Sequence, residues 1–206
     1  MVNLCCCFAP KGDNDTNNNT TNNNNDNNDN NNSSNDTNPN LPLGVSVYHL
    51  KYELLPEVKA TRGLDLATAK IYNLEPHLKS KTNLGLIRKK GEHVICPRDH
   101  QIGAAYVDAI EQRKDFVGRA NIMLSYAWGY GIKSVVDTLV KKCQDDGRDL
   151  KTTYVWICCL CNNQHRIGGD SKEVPFEEFR ETFYGTVTGV GRLWSMMSPW
   201  DDPKYL

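Results

Sequence analysis

No run of apolar residues in this chain approaches the roughly 20 needed to cross a bilayer as a helix, and no hydrophobic signal region opens it. Neither charge sign dominates. A formal net charge of -1 argues against a broad surface for nucleic acid or anionic lipid. From Asp13 to Asn40 there is no aliphatic or aromatic side chain, only Asn, Asp, Thr and Ser with one Pro. Ordering such a segment would cost backbone entropy with no burial to offset it, so residues 1–40 are expected to form a disordered tail. Its Asn-x-Ser/Thr matches, such as Asn14-Asp15-Thr16 and Asn35-Asp36-Thr37, are what chance produces in so Asn-rich a tract. Of the 206 residues, those from about Leu41 onward suffice for one core. Six of the eight cysteines stand in two clusters, which without a secretory signal reads as reduced thiols in a cytoplasmic setting.

What the chain does have is centred on Thr153-Tyr154-Val155-Trp156-Ile157-Cys158-Cys159-Leu160-Cys161-Asn162-Asn163-Gln164-His165. An uncharged β-branched and aromatic run without alternation predicts a strand covered on both faces, as in a parallel sheet flanked by helices. The abrupt change to amides and an imidazole predicts a polar loop at that strand's carboxyl end, where ligands of such sheets bind. Before it, Ile122-Met123-Leu124 reads as a short buried strand. Ile132, Val135, Val136, Leu139, Val140 and Cys143 then trace the apolar stripe of an amphipathic helix, ended by Asp145-Asp146-Gly147-Arg148-Asp149. After it, Pro175 can open a helix carrying Phe176, Phe179 and Phe183, followed by a third strand from Leu193 to Met197. Alternation of strand and helix with right-handed crossovers predicts one parallel sheet over residues 121–206, incomplete after its third strand.

Residues 41–120 read as an accessory α+β layer leading into that sheet. Leu66, Ala69, Ile71, Leu74 and Leu78 suggest a helix between Asp65 and Lys79, Glu92 to Cys96 a short strand, and Ala104, Val107, Ile110 and Lys114 a second helix. Lys79, Lys81, Arg88, Lys89, Lys90 and Arg98 form a local basic cluster, expected as a solvated face. At the N-terminus, Cys5, Cys6 and Cys7 are candidates for S-acylation, although Val2 stands where myristoylation needs Gly. Acylated, they would make the Asn-rich segment a leash from a membrane surface.

Leu124-Ser125-Tyr126-Ala127-Trp128-Gly129 and Tyr154-Val155-Trp156-Ile157-x-x-Leu160-Cys161-x-Asn163-Gln164 resemble two successive motifs of the heterokaryon-incompatibility (HET) domain, a relative of the Toll/interleukin-1 receptor (TIR) domain. The stretch from Gln101 through Ser198-Pro199-Trp200-Asp201-Asp202-Pro203 is also similar to TIR-like proteins of algae and other protists. The resemblance covers roughly the last half of the chain. It implies a flavodoxin-like fold used in signalling, self-recognition or cell death, with some TIR domains hydrolysing NAD through a glutamate in the helix after the third strand. Two departures bear on activity. Cys158 stands where the family has Asp, and the chain ends before a Trp-Cys-x-x-Glu-type segment, so no residue present inherits the catalytic role.

Three loops are expected to converge at the carboxyl edge. Ser125, Tyr126, Trp128 and Gly129 come from the first, Asn163, Gln164 and His165 from the second, and Trp200, Asp201 and Asp202 from the third. Trp128 or Trp200 offers a stacking face for a purine or nicotinamide, the amides offer bonds to ribose or phosphate, and Gly129 permits close approach. Against this stands the reading that the tryptophans pack and the amides tie loops together. Cys158, Cys159, Cys161 and His165, joined by His93, Cys96 and His100, are soft ligands for zinc. On a strand, however, Cys158 and Cys159 face opposite sides, and no second Cys-x-x-Cys pairs with the spacing of Cys158 and Cys161. A Cys161 and His165 nucleophilic pair lacks an orienting group. The first expectation is therefore a TIR/HET-like signalling or interaction module, non-catalytic as it stands and requiring no cofactor. It would bind protein partners, self-associate through the exposed sheet edge after Met197, and take NAD or a related nucleotide as its candidate ligand. The alternatives are an NAD-hydrolysing enzyme completed beyond Leu206 or by a partner, and an acylated membrane-tethered adaptor.

Overall fold

The chain enters the fold through β1 (Leu43–Ser46), whose last residue caps the helix that follows, Ser46 Oγ accepting from the His49 N–H at 3.1 Å. That helix is α1 (Val47–His49), a π segment Leu50–Leu54, and α2 (Leu55–Ala60). Pro56 has no N–H to give the preceding turn, and that turn widens, Leu55 N–H bonding the Leu50 carbonyl. Val47, Leu50, Leu54, Leu55 and Val58 are buried. After a 3-10 turn Ile71–Leu74 come α3 (Leu86–Gly91), α4 (Tyr106–Ile110), β2 (Val117–Arg119) and β3 (Ile122–Ser125). Then follow α5 (Ile132–Asp145), β4 (Tyr154–Trp156), α6 (Cys158–Cys161) and β5 (Leu193–Ser195), with residues 184–190 helical just before β5. The computed structural model describes residues 42–76, 80, 82–110, 115–166 and 184–197. The expected tail 1–40 with Cys5, Cys6 and Cys7, the helix carrying Phe176, Phe179 and Phe183, and Trp200, Asp201 and Asp202 lie outside the described residues.

The strands form one mixed sheet in the order β2-β1-β4-β3-β5. The three strands expected to be parallel are so: β3 runs beside β4 with Ile122 opposite Val155, and beside β5 with Leu124 opposite Trp194. Residues 41–120 do more than lead into this sheet. β1 pairs antiparallel with β4, and β2 pairs antiparallel with β1, extending the sheet past β4. Close approach on β1 requires Gly44, where an added Cβ would lie 3.1 Å from the Val155 backbone and the Ala120 Cβ. Pairing on both sides puts β4 at the middle of the sheet, with Val155 and Trp156 buried.

The α5 stripe folds as its periodicity predicts, with Ile132, Val135, Val136, Leu139, Val140 and Cys143 all buried. Its far side carries i,i+4 ion pairs, Lys133–Asp137, Lys141–Asp145 and Lys142–Asp146. The helix closes in a Schellman motif: Gly147 takes φ +64, its N–H bonds the Gln144 carbonyl, and Arg148 N–H bonds that of Cys143.

Three expected elements differ. The run Tyr154 to Cys159 is not all strand: it stops at Trp156, and Cys158–Cys161 wind into a helical turn with every side chain buried. A run apolar on all sides carries no period by which helix and strand differ. Between Asp65 and Lys79 the described residues hold turns and the 3-10 segment rather than a regular helix, in keeping with Pro76. Glu92 to Cys96 contributes one bridge, Ile95 to Ile102, because the chain reverses at Pro97 to His100 within hydrogen-bonding distance of itself. Of the expected helix from Gly103, Tyr106–Ile110 is present, while residues 111–114, with Lys114, lie outside the described residues. Leu139→Ala is expected to lower unfolding free energy by about 2–5 kcal/mol in urea titration. A loss within the roughly 0.5 kcal/mol of a surface change would displace α5 from the core.

Candidate functional site

Because β3, β4 and β5 are parallel, their carboxyl ends share one edge of the sheet, and the loops after β3 and β4 meet there. The β3 loop is held from two sides. Its Tyr130 carbonyl accepts from Ile71 N–H and its Trp128 carbonyl from Tyr72 N–H, while Tyr130 Oη donates to the Met196 carbonyl beyond β5. Ser125 contributes its carbonyl to Met196 N–H. Gly129 lies half-buried in the turn. Tyr126 reaches across to the β4 side, its hydroxyl 3.1 Å from Cys158 Sγ and 3.4 Å from Cys159 N. Burial, with the neighbouring thiols, pushes the Tyr126 phenol well above its ordinary range. Trp128 is partly buried, and its Nε1 is enclosed without a hydrogen-bond partner.

On the β4 side the amides face inward. Asn163 Nδ2 donates to the Gly103 carbonyl at 2.8 Å and its Oδ1 accepts from His165 N–H at 3.0 Å. Gln164, only 2 % exposed, donates from Nε2 to the carbonyls of Cys158 and Asn162, both at 3.3 Å. Gln164 Oε1 and Asn162 Nδ2 are buried without partners. Thus Asn163 and Gln164, expected as ligand groups, bind the chain's own backbone. His165 Nε2 lies 2.9 Å from the Arg88 carbonyl, which as an acceptor fixes the proton on Nε2. That bond keeps His165 away from Cys161, whose Sγ accepts instead from Ile157 N–H at 3.3 Å. The nucleophilic pair is therefore not assembled, and among the described residues no group of three His, Cys, Asp or Glu side chains is placed to hold a metal.

The partners of this loop come from residues 75–108, which sequence reading left without chemistry. Arg166 bonds Asp99 through Nε at 2.7 Å and Nη2 at 3.1 Å, and also reaches the Ile102 carbonyl. The Arg166 guanidinium holds the Asp99 carboxyl well below the usual carboxylate range. Arg98 joins the Cys161 carbonyl to Asp108. Arg88, expected on a solvated basic face, is 4 % exposed and paired at 2.7 Å with Glu75, whose side chain is fully enclosed. The Glu75 carboxylate also accepts from Gly85 N–H at 2.8 Å and Arg88 N–H at 3.0 Å, so neither charge is stranded. Lys89 and Lys90 are exposed as the solvated-face reading expects. Nothing in the spacing of Glu75 and Arg88 marks them as a pair.

A shallow groove of about 600 Å³ lies elsewhere, on the outer face of α5 between Ser134, Asp137, Thr138 and Lys141. Its lining is the solvent face of a charged helix. No protein-family model, curated protein or solved structure matches this chain.

Glu75→Ala removes the enclosed carboxylate that pairs with buried Arg88 and is expected to cost about 3–5 kcal/mol in chemical denaturation. His165 behaves differently with pH. Burial lowers its folded pKa below the ordinary value near 6.5, so the unfolded chain binds the proton more readily. Its contribution to stability is present above about pH 6.5 and is lost as pH falls from there through the folded pKa. The urea midpoint of the native chain should drop over that window more than that of His165→Gln. Equal slopes would remove His165 as the source.

Proposed function

We propose that this chain is a signalling or interaction module of TIR/HET-like type that works through protein contacts. The order of its parallel strands supports a flavodoxin-like reading. The first of them, β3, lies between the second, β4, and the third, β5, which is the opening of that doubly wound order. The added β1 and β2 on the far side of β4 depart from it.

The observation that carries the proposal is the edge at β5. Among the described residues β5 pairs only with β3, and the apolar Leu193 and Met197 are 45 % and 53 % exposed. A strand edge with apolar neighbours is a template for pairing with a further strand, and a second copy of this chain supplies one. Sedimentation velocity over a concentration series tests this. Association that weakens in Leu193→Lys, with circular dichroism unchanged, is the expected result. A monomer at every concentration overturns it.

Trp128 favours a second reading, nucleotide sensing. Its indole N–H lacks a partner among the described residues, in the loop after β3, and the carboxyl ends of β3 and β5 are where the strand order of a doubly wound sheet reverses and nucleotides bind. NAD should then quench tryptophan fluorescence in the native chain and not in Trp128→Phe. Cleavage of NAD to nicotinamide would replace both readings with the enzyme one.

A further inference from the structure

The change from strand to helix at Ile157 alters what the thiols can do. On a strand, Cys158 and Cys161 would point to opposite faces. On the helical turn α6 they are three residues apart and share a face, with Cα atoms about 5 Å apart from helix geometry, inside the roughly 4.4–6.8 Å range of disulfides. Both remain thiols. Each sulfur also has a hydrogen-bond partner. Ile157 N–H points at Cys161 Sγ at 3.3 Å, and the Tyr126 hydroxyl stands 3.1 Å from Cys158 Sγ. The same Tyr126 oxygen accepts from Cys159 N–H at 3.4 Å, so it ties both neighbouring cysteines of the turn to the β3 loop. Donors on sulfur favour the thiolate. An inert core thiol packs as a small apolar group and calls for none.

We propose that Cys158 and Cys161 are a redox-active dithiol, closed by a peroxide to an intramolecular disulfide, with Cys158 attacking and Cys161 resolving. Cys158 is the more accessible, 9 % exposed against 3 % for Cys161, and only a small oxidant fits so enclosed a site. The Cys158 thiolate attacks one peroxide oxygen and the O–O bond breaks. Cys158 becomes a sulfenic acid, and the departing hydroxide takes a proton to leave as water. Cys161 sulfur then attacks Cys158 sulfur. The S–S bond forms, the S–O bond breaks, and the Cys161 proton leaves with the hydroxyl as a second water. Two thiols are oxidised and one peroxide reduced to two waters. Burial pushes the Cys161 thiol up to about 12 against the opposing pull of the Ile157 N–H, so Cys161 enters the second step as the thiol. Closure draws both sulfurs off their partners, releasing Ile157 N–H at the end of β4 and the Tyr126 hydroxyl in the β3 loop.

The test uses the reduced full chain, exposed to hydrogen peroxide, quenched in acid, then denatured with an alkylating agent and cut with trypsin. Residues 152–166 form one tryptic peptide holding Cys158, Cys159 and Cys161, separate from the N-terminal thiols. The expected product has lost two hydrogens and carries a single alkyl group, placed on Cys159 by fragmentation. Prior dithiothreitol should restore three alkyl groups. Cys159→Ser should still close the bond, and Cys161→Ser should yield an oxygenated Cys158 without a disulfide. Three alkyl groups after peroxide, or the single alkyl group on Cys158 or Cys161, would overturn the proposal. The wild-type peptide decides this even where a variant fails to fold.

Discussion

Glu75 and Arg88 meet where both side chains are shielded from solvent, and this pairing organises the carboxyl edge of the sheet. A buried charge is tolerable only when its partner and remaining hydrogen bonds are all in place. The requirement is met by local backbone. Gly85 and Arg88 turn their N–H groups onto the carboxylate, which positions α3, and α3 then offers the Arg88 carbonyl to His165. Gly91, at the end of α3, packs so tightly against Ala104 that an added Cβ would sit 2.1 Å from its carbonyl oxygen. The ion pair, the close glycine contact and the Asn163 to Gly103 bond thus act in series. Each aligns the group the next one needs.

Seen from the loop after β4, the consequence is rigidity where a ligand site was expected. Asn163, Gln164, His165 and Arg166 are each committed to residues of this same chain. Their chemistry suits a nucleotide, but a donor already paired inside the protein gains little by exchanging one carbonyl for another. The polar atoms left over are Trp128 Nε1, Asn162 Nδ2 and Gln164 Oε1. They lie in the loops after β3 and β4, so any recognition there falls to fewer groups than the sequence offered.

Periodicity was legible where one face of an element is wet. The α5 stripe and its Gly147 stop were readable because a half-buried helix alternates by necessity, and the buried strands β3 and β4 because each is a short apolar run flanked by polar residues and turns. The same logic fails for Cys158–Cys161, where all sides are apolar, and for the segment from Asp65 to Leu74, where packing against the β3 loop rather than propensity sets the turns. The candidate site was legible as a location, through Ser125, Tyr126 and Trp128 at a strand's end. Its internal bonds were not, because Glu75, Arg88, Asp99 and Gly103 lie some 60 to 90 residues from the loop they hold.

By itself the sequence determined the local elements: three strands and a helix in alternation, an amphipathic face on α5, and an Asn-rich segment with nothing to bury. These follow from side-chain type and spacing within a few residues, which is the range of backbone sterics and single-face burial. Tertiary structure alone decided that β1 and β2 join the same sheet, that Arg88 is buried, and that Ile157 ends the strand so that Cys158 and Cys161 share a face. Each of these outcomes rests on a partner distant in the chain, whose pairing or desolvation energy outweighs the local preference. A window of neighbouring residues does not contain that partner.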